Sequence, residues 1–359
     1  MSAWRAQLGS AAFVIAVALA LIYGLLALST DDPWQATDAL LTGPLSDSGR
    51  TSQWLNDTTN LMLTGLAVAI AFRVGQFSLG AEGQVAVGAL AGGAAMLQLG
   101  DFAGMWVIGL VVATVAGFLF GLLPGLMKAY GGADEIVSTL MLNYIALLFF
   151  AFAINQWLQP DGAGYPVSDF VPADAWVPVF GTAPQVPLGL VLAIGLCGLA
   201  WFLLSRTRVG FELRMTGENP SFARGVGLRV RRSIWLSIAL SGAVAGLAGG
   251  IITQTETHRL ILGLSGNLGY EGILVALIAA NRPLLVPLGA LGYAYLRTGG
   301  DIAQLSSDVP RELITTVQGA LILVVTAKFT PAGSRLKQAI TRMRRRAPAE
   351  SRAAGLEAR

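Results

Sequence analysis

The side chains able to do covalent or metal chemistry are few. Cys197 is the single cysteine and sits in an apolar run, so neither a disulfide framework nor a thiolate metal site can form. His258 is the single histidine, which excludes a two-histidine metal site. The lysines are Lys128, Lys328 and Lys337, and none follows a glycine. The GxxxxGK[ST] phosphate loop is therefore absent, and the chain cannot hydrolyse nucleotide by that route alone. No catalytic residue, metal ligand or cofactor site of its own is expected. What remains is recognition by hydrogen bonding and charge. Glu82 and Glu271 lie in two similar motifs, LGAEG (79–83) and LGYEG (268–272), with Gln76 and Gln84 flanking the first. Ser138, Thr139 and Asn143 fall in one apolar run, and Thr253 and Gln254 end another. Asn143 follows Thr139 by four residues and so shares its helical face. Such groups line a polar pathway or form interhelical hydrogen bonds worth about 0.6 kcal/mol each.

The elements that position these groups are membrane-length. Hydrophobic residues make up 54% of the chain and charged residues 13%, against about 25% charged in an average soluble domain. Apolar runs give candidate spans at 8–29, 58–77, 82–99, 104–128, 136–158, 188–204, 233–253, a short 271–281, 284–298 and 312–328. The first exceeds the usual signal-peptide core and reads as a retained helix, with a cleavable signal as the alternative. Ten crossings put both termini on one side. With that side cytoplasmic, only Arg50, Arg259, Arg297 and Arg311 of the 24 Lys/Arg lie outside. The net charge of +3 then reflects topology and not nucleic-acid binding. The fold expected is an all-α polytopic bundle over 1–330, with a basic cytoplasmic tail over 331–359.

The two LGxEG motifs each introduce an apolar run, and this topology puts the first at the cytoplasmic face and the second at the outer face. That suggests an inverted repeat of about 58–158 and 233–328, with 188–204 as connector and the transport path between halves. Gly80 and Gly269 would permit tight turns, and each glutamate would complement the first turn of its helix. The 271–281 run is too short to span, and Asn281-Arg282-Pro283 ends it. Broken helices are tolerated in a membrane where protein or a water-filled cavity satisfies the backbone.

One long polar segment falls on the inner side, SRTRVGFELRMTGENPSFARGVGLRVRR (205–232). Asn219 reads as an N-cap and Pro220 as the first helical residue. A short helix between glycines suits docking of a cytoplasmic partner better than setting topology alone. This segment closely resembles the coupling segment of permease subunits of bacterial ABC importers for nucleosides and simple sugars. The resemblance extends to GLAVAIAFRVGQFSLGAEGQ (65–84), LMKAYGGADEIVSTLMLNYIA (126–146) and GYEGILVALIAANRP (269–283), covering about 70 to 330. The ADEIVSTLMLNYIA block is most like the nucleoside branch. The chain departs from the family at Ser78-Leu79, where Asn-Ile is commoner, and at Ala279-Ala280-Asn281, where Gly-Arg-Asn is.

By this resemblance Glu218, Asn219, Pro220, Ser221, Ala223, Arg224 and Gly225 would meet an ATPase subunit, which would hold the ATP and Mg²⁺. Gln76, Glu82, Gln84, Thr139, Asn143 and Glu271 are the candidate pathway residues. Tyr144, Phe149, Phe150 and Phe152 would stack a base or face lipid, and His258 and Arg259 would lie in an outer loop. A second permease chain, a binding lipoprotein and membrane lipid are the other implied partners, in the bacterial inner membrane. No Asp or Glu falls near the centre of a run, which argues against an ion-coupled carrier. The alternatives are a sugar permease, an ion-coupled secondary transporter and a membrane enzyme.

Overall fold

The computed structural model describes residues 33–100 and 104–306, with 23–24, 316 and 319 besides. Residues 38–306 form one compact unit, and 1–37 with 307–359 belong to another. The tail 331–359 and nearly all of the expected spans 8–29 and 312–328 fall outside the described residues. The helices are α1 (Pro33–Thr42), α2 (Ser48–Arg73), α3 (Ala81–Leu99), α4 (Met105–Gly131), α5 (Glu135–Ala153), α6 (Leu188–Arg206), α7 (Arg208–Glu218), α8 (Pro220–Gly225), α9 (Val230–Ile252), α10 (Leu268–Ile278) and α11 (Val286–Ser306). Single π-turns extend α5 to Leu158 and α9 to Thr257. A two-residue antiparallel pairing, β1 (Val179–Phe180) with β2 (Val186–Pro187), precedes α6.

Local signals set most of these boundaries. Asp47 caps α2 by accepting from Gly49 N at 2.9 Å, and Asp134 caps α5 by accepting from Ile136 N and Val137 N. A Lys128–Glu135 ion pair closes the turn between α4 and α5.

Helix α9 packs on α4, α3 and α2 at the centre of the unit. It can do so closely because glycines face each other: a Cβ on Gly246 would lie 2.4 Å from Ala113 O and 2.8 Å from Gly117 Cα. Without a hydrophobic drive between helices in lipid, such close contact supplies the dispersion energy that holds them. The outer helices turn apolar side chains outward. On α4 Val107, Val111, Val115, Leu119 and Leu123 are exposed at four-residue intervals, one turn after another. Among the described residues, four helical segments, 105–131, 135–158, 188–206 and 230–257, are long and apolar enough to cross a membrane. The chain is a multi-pass helical membrane protein.

The structure redraws one span and adds a helix. The expected 58–77 span is a helix from Ser48 to Arg73, followed by the non-helical segment 74–80. The polar segment before Asn219, expected to be loop, contains α7, which Thr207 caps by accepting from Gly210 N through its hydroxyl.

Candidate functional site

Three polar features follow one another along α2. At its C-terminal end lies the arm α7–α8. Asn219 caps α8, its side-chain oxygen accepting from Ser221 N at 3.1 Å and Phe222 N at 3.0 Å, with Pro220 as first residue. Glu218, Asn219, Pro220, Ser221, Arg224 and Gly225 are exposed. Ala223 is not: it is fully buried against the bundle and cannot meet a partner across the arm's outer face. Phe222 and Val226, which sequence reasoning passed over, are 53% and 55% exposed and form the arm's apolar tip. Gly217, on the N-terminal side of α8, is not a free linker. It lies within α7, where a Cβ would stand 2.3 Å from Arg73 O, so the arm abuts the end of α2 backbone to backbone.

The second feature is the junction of the two LGxEG motifs. Placement at opposite membrane faces would separate them by about 30 Å; instead they touch. Glu82 Oε1 accepts from Ser265 Oγ at 2.5 Å and Asn267 N at 3.3 Å, and Oε2 accepts from Gly269 N at 2.8 Å. Glu82 therefore caps the helix of the other motif, α10, whose own N-cap residue Asn267 offers no side-chain cap. Gly269 serves close approach and not a turn, since a Cβ there would be 2.2 Å from Glu82 N. Gln84 lies beside Gly121, ten residues from the end of α4, or about 15 Å into the bundle.

Four of the six pathway candidates, Glu82, Gln84, Thr139 and Asn143, pack at this junction. Thr139 Oγ1 accepts from Leu79 N at 3.1 Å, and Asn143 joins Leu79 O at 2.7 Å and Gly83 N at 3.0 Å. Gln76 keeps only a 3.4 Å contact with Val74 O, and neither amide atom of buried Gln84 has a partner. Glu82, Gln84, Thr139 and Asn143 are each at most 3% exposed, so the junction is closed in this conformation.

The third feature, toward the N-terminal half of α2, was not anticipated. Two carboxylates meet here from the ends of the expected spans, Asp57 buried and Glu271 half-buried. Arg297 Nη1 donates to Glu271 Oε2 at 2.6 Å and its Nε lies 3.9 Å from Asp57 Oδ1, while Thr298 donates to Asp57 Oδ2 at 2.9 Å. Asn60, one turn from Asp57, donates to Glu256 Oε1 at 2.5 Å. Beside this network opens a polar pocket of about 530 Å³, lined by Asp57, Glu256, Ser52, Gln53, Asn56 and Gln185 among others. The aromatic candidates divide: Phe150 is buried, whereas Tyr144, Phe149 and Phe152 are exposed on the outside of α5. His258 stacks on Trp176 at 3.9 Å, and Arg259 sits over the Phe170 ring at 4.8 Å. Burial holds the His258 imidazole below its ordinary range, opposed by a backbone hydrogen bond at Gln254, so it is a neutral packing group at pH 7.

A multi-pass bundle with an exposed capped arm at one end of α2 and a polar pocket at the other has the build of a transport permease. The chain belongs to the family described as branched-chain amino acid transport system / permease component, which matches residues 50–326. It is 31% identical over 302 residues to the guanosine ABC transporter permease protein NupP of Bacillus subtilis, covering 81% of this chain and 85% of that one. The nucleoside ABC transporter permease protein NupB of Lactococcus lactis is 29% identical over 333 residues, 88% and 90% of the two chains. The glucose ABC transporter permease protein TsgB13 of Haloferax volcanii is 28% identical over 340 residues, 91% and 89%. No solved structure matches the chain. It is a transport subunit of the ABC permease kind and not itself an enzyme.

Proposed function

We propose that this chain forms, with a second permease alike or identical, the membrane channel of an ABC importer for nucleosides. ATPase subunits bind the α8 face, a binding lipoprotein delivers cargo on the opposite face, and both termini are cytoplasmic. The observation that carries the reading is the arm: a capped, proline-initiated helix with Phe222 and Val226 exposed at its tip and Gly217 set against Arg73 O. Closure of the ATPases presses α8, and the Gly217 contact passes the push to residues 74–80. From there Leu79 pulls on Asn143 and Glu82 on the N-terminus of α10, opening the junction so that Gln76, Gln84, Thr139 and Asn143 come to line a path. Glu271 and the carboxylates and amides of the 530 Å³ pocket accept and donate hydrogen bonds on the delivery side.

Two measurements test this. Phe222→Ala should weaken co-purification of the ATPase by about tenfold, as loss of a central aromatic anchor does. Asn219→Ala, which costs about 1 kcal/mol of capping, should lower substrate-stimulated hydrolysis by a smaller factor. Wild-type values for both variants would refute docking through α8. For cargo, ATP-driven uptake of labelled guanosine into membrane vesicles should be competed by unlabelled nucleosides and not by glucose. Competition by glucose alone would favour the sugar reading, which the Haloferax relative motivates. Uptake that persists without ATP and collapses with the ion gradient would favour a secondary transporter.

A further inference from the structure

Beside the arm lies a pocket that neither cargo nor ATPase accounts for. It measures about 310 Å³ and is lined by three arginines, Arg73, Arg214 and Arg282, together with the apolar Trp201, Leu204, Leu284 and Leu285. The arginines come from three separate places: the last turn of α2, the middle of α7 and the turn before α11. That turn holds its shape through Ala280 and Asn281, both in the left-handed region. No carboxylate lines the pocket, and none of the three guanidinium groups forms an ion pair among the described residues. The Nε of Arg214 is buried without a hydrogen-bond partner.

Three like charges gathered from distant segments repel one another unless an anion sits between them. Guanidinium forks match phosphate oxygens in pairs, and basic pockets between membrane helices on the cytoplasmic side hold acidic lipid headgroups. The apolar part of the lining chooses the source of the phosphate. Trp201, Leu284 and Leu285 are exposed apolar residues next to a buried Leu204, a surface suited to an acyl chain and not to a free ion. We propose that this pocket binds an anionic phospholipid, its phosphate held by Arg73, Arg214 and Arg282 and its chain laid along Trp201 and Leu285.

The lipid would tie together the end of α2, the arm and the turn at 279–285. Those are the parts that the proposed stroke must move, so its occupancy would set how firmly the arm is linked to the bundle. This consequence rests on the proposed function; the binding itself does not.

The test uses the purified permease alone in neutral detergent, so failure of the transport reading would leave it intact. Dioleoylphosphatidylglycerol should raise the thermal unfolding temperature, and dioleoylphosphatidylcholine and inorganic phosphate should not. The triple variant Arg73→Gln/Arg214→Gln/Arg282→Gln should bind the anionic lipid about tenfold more weakly or worse. Arg231→Gln/Arg232→Gln removes exposed charge from residues that do not line the pocket, Arg231 lying over the Tyr130 ring, and should bind as wild type. If the triple variant does not fold, Arg214→Gln replaces it, with a smaller loss expected and recovery by Arg214→Lys. Equal effects of the two lipids on the wild type would overturn the proposal. So would equal losses in the pocket and control variants, or protection by inorganic phosphate alone, which would mark a free-anion site.

Discussion

Arg297→Met should destabilise the bundle by about 3–5 kcal/mol, the cost typical of removing one partner from a buried ion pair. Arg297 is the cation that faces both Glu271 and Asp57, and its side chain is 21% exposed, as is that of Glu271, with Asp57 at 12%. Without it two carboxylates, Asp57 and Glu271, are left within the packed unit. The sign of the effect comes from the charges left behind and not from lost packing, since methionine replaces most of the volume. Restoring neutrality should therefore restore stability. Arg297→Met/Glu271→Gln/Asp57→Asn should recover most of the loss, because a buried ionic group replaced whole by neutral residues is often close to neutral in stability. Thermal unfolding of the purified protein, followed by tryptophan fluorescence, reads both variants. A single variant that melts with the wild type would mean that the network is solvated and weak. A triple variant no better than the single would mean that Arg297 acts through its shape.

How much of this was legible in the sequence depended on distance along the chain. The arm was readable because its signals are local: Asn219 beside Pro220 supplies cap and first turn within four residues. The ends of α3 and α6 were readable for the same reason, as apolar runs bounded by glycine or arginine. Which face of α8 looks outward was not, since Ala223 and Phe222 are adjacent letters and only the packing of the arm on the bundle separates them. The charge network was illegible because its members lie 241 residues apart, as Thr298 does from Asp57. Counting Arg297 with the outer charges put it at the very end of the 284–298 span, whereas it lies well inside α11, which runs on to Ser306. The motif pair was recognised but misplaced. A repeated LGxEG tells that two helices begin alike; it carries no information on depth, which is fixed by Glu82 reaching across to Gly269.

That contact gives the most discriminating small substitution in the molecule, Gly269→Ala. A Cβ at 269 would stand 2.2 Å from Glu82 N, 2.5 Å from Glu82 Cα and 2.8 Å from Ala81 C. All three are backbone atoms at the start of a helix, so no side chain can rotate away to make room. Either α10 withdraws from α3 or the methyl group is not accommodated. Withdrawal lengthens the 2.8 Å bond from Gly269 N to Glu82 Oε2 and loosens the 2.5 Å bond from Ser265. Overpacking costs about 1–3 kcal/mol, and each buried donor left without its acceptor adds about 1–3 kcal/mol. The expected result is a loss of several kcal/mol and of nucleoside uptake together. Gly292→Ala is the control: Gly292 lies in α11 with nothing within 4 Å of its Cβ position. Alanine there should stabilise the helix by about 0.5–1 kcal/mol, leaving uptake unchanged. Thermal unfolding and vesicle uptake measured on the pair separate the two models of the motifs. If Gly269→Ala behaves like Gly292→Ala, the motifs do not meet, and their placement at opposite faces returns. If it fails while its control gains, Glu82 and Gly269 form the joint through which any push on the arm must pass to reach α10.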